Sequence, residues 1–195
     1  MARERAEAKR AACRTPVAPL ASERVRFVDE ASTTTAMTRR YARAPRGERA
    51  YGRVPRNHGQ NLSGIGALGG RGMVATLRVE GAVETEIFEV LVTEVLTPAL
   101  RPGDSVLLDN LQGQRASDLE PAVSSAGGEV SFLPSYSPDF SPLAPCWSKL
   151  KTCLRGCAAR TRALLDAALT KALQALHPED IRGWFQHCGY EVASE

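Results

Sequence analysis

Hydrophobic and polar positions along the chain alternate between two periods, and the changes of period mark the predicted elements. Arg24 to Glu30, RVRFVDE, is a short β-branched and aromatic run closed by two acids, which predicts a first, central strand ending near Asp29. Thirty residues of polar sequence follow without an apolar period, with turn signals at Pro45-Arg46-Gly47 and Pro55. A polar excursion of that length inside a compact domain is usually functional. Leu62 to Leu68 and Met73 to Val79 are apolar runs separated by Gly69, Gly70, Arg71 and Gly72, a hairpin pattern.

From Glu84 to Leu100 the period lengthens. Ile87, Phe88, Leu91, Val92, Val95 and Leu96 fall on one helical stripe, with Glu84 and Glu86 in the first turn. Ser105 to Asp109, SVLLD, is again a short apolar strand closed by an acid. A weak helix over Ser117 to Ala126, interrupted by Pro121, leads to a strand from Val130 to Leu133. Helices are predicted over Cys146 to Ala159 and Arg162 to Leu176, and a last short one opens at Pro178. Hairpin, helix, strand, helix, strand and helical tail make an α/β fold, a mixed sheet flanked by helices.

Length supports one domain: 195 residues with 43% hydrophobic and 24% charged positions fit a globular chain. The expected division is a charged N-terminal segment 1–23, one domain over 24–190 and a tail 191–195. No stretch approaches the roughly 18 apolar residues of a membrane span, and the N-terminus lacks the apolar core of a secretory signal, so a cytoplasmic protein without a membrane partner is expected. Five cysteines, Cys13, Cys146, Cys153, Cys157 and Cys188, are odd in number, and their spacing misses the paired pattern of structural zinc. Reduced thiols are expected.

The net charge of +3 conceals a partition: residues 1–72 carry +9, residues 73–144 carry −8 and the remainder +2. In the polar excursion Arg39, Arg40, Arg43, Arg46, Arg49, Arg53 and Arg56 are interleaved with Tyr41 and Tyr51. That composition suits a phosphate-contacting loop and equally a solvated surface in an Arg-rich protein.

Asp29 and Asp109 close two apolar strands. If those strands are neighbours, the carboxylates lie side by side where open α/β sheets bind ligands, and they repel unless a cation neutralises them. Mg²⁺ held by carboxylates, water and phosphate suits such a pair, and two such ions would serve phosphodiester chemistry. The alternative is that each aspartate caps a turn.

The residues VDE around Asp29, LLDN around Asp109 and Asn110, and LPSYSPDFSPLAPCWSKLK from Leu133 to Lys151 bear on that choice. The last segment resembles the LPPYSPDLNPIE-x-x-WSKLK signature of the mariner-like DDE transposases in their bacterial insertion-sequence branch. RVPRNHGQN from Arg53 and HPEDIRGWFQHCGY from His177 are similar to that branch as well. The resemblance implies a ribonuclease H-like fold and cleavage and joining of DNA by a metal-bound triad of two Asp and a third Asp or Glu, with Mg²⁺ or Mn²⁺ as cofactor. It further implies DNA as partner, a homodimer or an intact transposase as a second one, and a bacterial, nucleoid-associated location.

Asp29 and Asp109 match the first two triad positions and so are the implied catalytic and metal-binding residues. The third position departs: where the family has the Glu of NPIE, this chain has Ser141-Pro142-Leu143-Ala144. Asp139 matches the non-catalytic Asp of YSPD and is expected to be a turn residue. The family's DN-x-x-x-H-K also changes, with Gln114 in place of His and Arg115 in place of Lys. About two dozen residues precede the first strand, without the family's helix-turn-helix modules. The resulting expectation is a truncated, impaired transposase catalytic domain, the alternative being a non-catalytic remnant that binds DNA or a transposase partner. Trp147, Trp184 and Phe185 are expected in the core, and Lys149 and Lys151 on a solvated helix face.

Overall fold

The computed structural model describes residues 22–109, 113–134 and 137–192, with side chains omitted for 113–118. The charged segment through residue 21, Asn110 to Gln112, the side chains of Gln114 and Arg115, and Ser135 and Tyr136 of the signature lie outside the described residues, as does the end of the tail.

Five strands form one sheet in the order β3-β2-β1-β4-β5. They are β1 (Val25–Thr34), β2 (Asn61–Gly69), β3 (Gly72–Glu80), β4 (Ser105–Leu108) and β5 (Glu129–Phe132). The first three form an antiparallel meander, whereas β4 lies parallel to β1 and β5 parallel to β4. The helices are α1 (Thr85–Val90), running on through a π-helical turn over Leu91–Leu96, then α2 (Gly113–Ser125), α3 (Leu143–Cys157), α4 (Arg162–Gln174) and α5 (Pro178–His187). Among the described residues no helix is long and apolar enough to cross a membrane.

Among the described residues, the two larger of three apolar clusters lie one on each sheet face, as the period of two along the strands dictates, and a smaller one gathers Leu62, Leu154, Leu165 and Leu169. Val25, Phe27 and Ala31 of β1 and Leu107 of β4 pack under Leu143, Cys146, Trp147 and Leu150 of α3 and Ile181 and Phe185 of α5. Phe27, Phe185 and Tyr190 meet edge to face, with ring centroids 5.1 to 5.9 Å apart. On the other face Val28, Val106 and Leu108 pack under Phe88, Leu91, Val92 and Leu96 of the α1 segment and Leu119 and Val123 of α2. The helical stripe read from the sequence is thus the buried one, and the expected core aromatics Trp147 and Phe185 are buried, with Trp184 half-buried against them.

Four boundaries differ from the sequence expectation. β1 continues five residues beyond Asp29, because Ala31, Thr33 and their neighbours pair with β2 even where β4 has ended. Buried Thr33 donates its hydroxyl to the Leu62 carbonyl, so a polar strand end is satisfied inside the sheet. α2 begins before Ser117 and contains Pro121. The expected helix from Cys146 begins at Leu143, which puts Ala144 in its first turn. Finally the helix over Glu84 to Leu100 is α-helical only to Val90 before widening into the π turn.

At the opposite end of the sheet from Asp29, Arg26 donates to the carboxylate of Asp104 at 2.9 Å, both groups being buried. Asp104 also accepts from the Arg101 backbone N–H at 3.1 Å, and the Arg24 guanidinium stands 3.8 Å away. Removing one member of such a pair leaves a buried charge unanswered, at a cost of about 3–5 kcal/mol. Asp104→Ala is therefore expected to destabilise the fold by about that amount in urea denaturation, and more than Asp104→Asn, which keeps a hydrogen-bond acceptor.

Candidate active site

The register of β1 and β4 builds the site. Val25 faces Ser105, Phe27 faces Leu107 and Val28 faces Leu108, after which β4 ends and Asp109 follows directly. Carried one residue further, that register sets Asp109 beside Asp29. Asp29 shares its sheet face with Val25 and Phe27, and Asp109 with Leu107, by alternation. Both carboxylates therefore belong to the face that α3 covers. Asp29 sits one residue past the point where parallel pairing stops, which is where the fold opens, although its own strand continues along β2.

The electrostatics agree with that placement. Burial pushes the Asp29 carboxyl up from 3.8 to about 6, with the negative charges of Asp109 and Glu30 adding to the rise. Two influences oppose it: the Glu30 backbone N–H donates to Asp29 Oδ1 at 2.8 Å, and the Lys151 ammonium lies within electrostatic reach. The structure thus brings Asp29 and Asp109 together.

Among the described residues no third acidic, His or Cys side chain is grouped with them. Ala144 stands half-buried in the first turn of α3, the helix over this face. One turn later Trp147 lies against Gly66, the residue paired with Asp29 across β1 and β2. A Cβ on Gly66 would approach the Trp147 ring to 3.2 Å and the Met73 methyl to 2.6 Å, so glycine is what lets the helix close down beside Asp29. Glu30 is paired with Ile65 and belongs to the opposite sheet face, so it cannot complete the set. Asp139 lies in the middle of a short turn, Pro138–Phe140, as the sequence suggests, and its charge is felt by Cys188 at the end of α5. Among the described residues no three His, Cys, Asp or Glu side chains are grouped to hold a metal ion.

The other candidates resolve individually. Lys149 is not a free, solvated cation: it is ion-paired to Asp180, which also accepts from the His177 N–H at 3.1 Å and so ties α3 to the start of α5. Lys151 is the residue whose relevance to Asp29 the sequence understated, and the signal was its place two helical turns beyond Ala144. Cys146 and Cys188 are buried and burial pushes their thiols up to about 12 and about 11, whereas Cys153 and Cys157 are exposed.

The raised carboxyl of Asp29 has a sign that can be tested. Between about pH 4 and pH 6 the folded chain holds a proton there that the unfolded chain has released, so the stabilisation is complete below pH 4 and lost as pH rises through 6. Asp29→Asn, which mimics the protonated form, is expected to stabilise the metal-free protein by about 1–3 kcal/mol at pH 7 and by close to nothing at pH 4, read from urea midpoints at both values.

Comparison with known proteins fits this geometry. The sequence profile of the family described as DDE superfamily endonuclease matches residues 24–165. No curated protein matches the chain. Among solved structures, the Mos1 transposase paired-end complex with the left transposon end superimposes at a TM-score of 0.71 and 15% identity, covering 86% of this chain and 52% of that one. The mariner Mos1 paired end complex with Mg gives 0.73 at 15% identity, over 97% of this chain and 60% of the other. The Mos1 transposase catalytic domain with Raltegravir and Mn gives 0.63 at 12% identity, over 93% and 84%. The chain spans about half the length of the first of these and most of the isolated catalytic domain. Its mixed five-stranded sheet between two helical layers is the ribonuclease H-like fold of that domain, and the chain belongs to the DDE superfamily endonuclease family.

Proposed function

We propose that this chain is the catalytic domain of a mariner-like transposase of the bacterial insertion-sequence branch, built for metal-assisted cleavage and joining of DNA and impaired by Ala144. The observation that carries the reading is the juxtaposition of Asp29 and Asp109 on the face under α3, at the end of parallel pairing. Mos1 structures contain transposon ends, Mg and Mn. By that likeness the substrate is DNA and the ion divalent.

The donor set fits one such ion. Two carboxylates, one with its protonation favoured by burial and by its neighbour, form a site that gains from a divalent cation. Bound between Asp29 and Asp109, Mg²⁺ or Mn²⁺ would neutralise the pair and polarise the phosphodiester. The Glu30 N–H holds Asp29 Oδ1 in place, and Lys151 adds a positive charge beside the site that suits a phosphate oxygen. Ala144 has no side-chain oxygen, so a second ion would find no carboxylate to hold it at that position. Losing a ligand carboxylate lowers affinity or activity steeply, as even loss of an outer hydrogen-bond partner costs about 10–100-fold.

Ala144 also favours a second reading, that of a non-catalytic DNA-binding or transposase-partner protein. Plasmid nicking in Mg²⁺ or Mn²⁺ separates the two. Ala144→Glu is expected to raise nicking at least about tenfold over the natural chain, and Asp109→Asn placed in that variant to abolish it. An Ala144→Glu protein no more active than the natural one, with DNA binding retained, would favour the second reading. Independently, saturating Mg²⁺ is expected to stabilise the natural chain, by about 1.4 kcal/mol at ten times the dissociation constant, and to leave Asp109→Asn nearly unmoved in thermal unfolding.

A further inference from the structure

The excursion between β1 and β2 is held at its base and presented outward. Thr35 donates its N–H to the Gln60 carbonyl at 3.0 Å and accepts the Gln60 N–H on its hydroxyl at 2.9 Å. Arg160, beyond the end of α3, donates to the carbonyls of Thr35 and Met37, both at 2.9 Å. Gly59 closes the neck at φ +75°, where a Cβ would meet the Thr35 hydroxyl at 2.5 Å. The loop is thereby fixed against the C-terminal end of α3, and between them runs an open groove of about 740 Å³.

Five arginines line that groove, Arg39, Arg40 and Arg53 from the loop with Arg155 and Arg160 from the helix side, and no carboxylate does. Tyr41 and Tyr51 line it too, at 88% and 89% exposure, the two most exposed large hydrophobic side chains described. A purely solvated basic loop has no need of two uncovered aromatic rings, whereas a basic groove with aromatic faces is the chemistry that takes unpaired bases and tracks their phosphates. The same helix carries Lys151, whose charge reaches Asp29, and Arg155, which lines the groove. Ala144, Ser148, Lys151 and Arg155 recur at helical spacing on one face of α3, and the eleven residue steps from Ala144 to Arg155 rise about 16 Å, a span of a few nucleotides.

We propose that the groove between the loop over residues 38–54 and the end of α3 binds single-stranded DNA, with bases stacked on Tyr41 and Tyr51 and phosphates on the arginines, so that the strand leads along α3 toward Asp29 and Asp109. The proposal rests on the reading of the chain as a DNA-processing domain but not on its catalytic competence.

Fluorescence anisotropy of the full chain with labelled oligo-dT, in EDTA so that the carboxylate pair takes no part, tests it. Tyr41→Ala and Tyr51→Ala are each expected to weaken binding roughly fivefold to a hundredfold. Replacing Arg39, Arg40 and Arg53 by Gln is expected to flatten the dependence of log affinity on log salt by about 2. Because these side chains are exposed, thermal unfolding should not move, which separates lost contacts from lost folding. Wild-type affinity in the tyrosine variants overturns the proposal, as does a duplex of the same length outcompeting oligo-dT. Changed sedimentation with unchanged oligo-dT affinity also overturns it and assigns the groove to a second copy of the chain, whose 73–144 segment is acidic. The two readings fail separately. Nicking by Ala144→Glu without a tyrosine effect refutes the groove alone, and a tyrosine effect without nicking refutes the catalytic reading alone.

Discussion

The site depends on the register between β1 and β4, and the buried Arg26–Asp104 pair is the contact that specifies it. Backbone hydrogen bonds alone would accept a parallel pairing slipped by one residue, and such a slip would send every side chain of β4 to the other face. Asp109 would then lie under α2 while Asp29 stayed under α3. In the observed pairing Arg26 stands beside Val106 and bonds Asp104 at the entry to β4, whereas a one-residue slip would put Asp104 on the opposite face from Arg26. A buried pair of this kind adds little net stability over an apolar pair, but its loss leaves an unanswered charge, so it discriminates between registers more than it strengthens the chosen one. The ion pair at one end of two strands thus positions two like charges at the other.

Burial of Asp29, with the nearby charge of Asp109 adding to it, explains why the site is costly to the metal-free fold. Asp29 is desolvated, faces Asp109 and is relieved only by one backbone N–H and by the more distant Lys151. The surrounding packing carries that cost. Val25, Phe27 and Leu107 beneath α3 and α5 form a continuous apolar layer right up to the carboxylates. Glycine at position 66, the cross-strand partner of Asp29, lets the Trp147 ring close down on the sheet there, so apolar packing comes up to the position next to the carboxyl.

The sequence disclosed those parts of the fold in which period and burial coincide. The hairpin at Gly69 to Gly72, the stripe through Phe88, Leu91 and Leu96, and the apolar SVLL strand all bury what their pattern says they bury. It disclosed Asp29 and Asp109 as site candidates because each follows an apolar run, and their shared face follows from counting by two. What it concealed was satisfied by partners distant in the chain. The second half of β1 looks like loop because Ser32, Thr33 and Thr34 are polar, yet β2 pairs with all three. Arg26 and Asp104 are 78 residues apart and carry no local signature. Lys149 and Lys151 are indistinguishable in composition, and only the docking of α5 ties the first to Asp180 while the second remains near Asp29.

Ala144 occupies a position on whose side chain the packing of α3 does not depend. Position 144 is half-buried at the start of α3, but the helix is anchored by Leu143, Cys146, Trp147, Leu150 and Leu154, all buried, none of which needs a carboxylate beside it. A negative charge at 144 would add a third anion near a pair that already repels, so alanine relieves the metal-free fold, and under the proposed function it would also leave an ion with one ligand fewer. Stability and metal chemistry pull in opposite directions at this position. On the proposed reading, alanine at 144 therefore carries no penalty for the fold, because the sheet, its register and the placing of the two aspartates rest on contacts that need no carboxylate at that position.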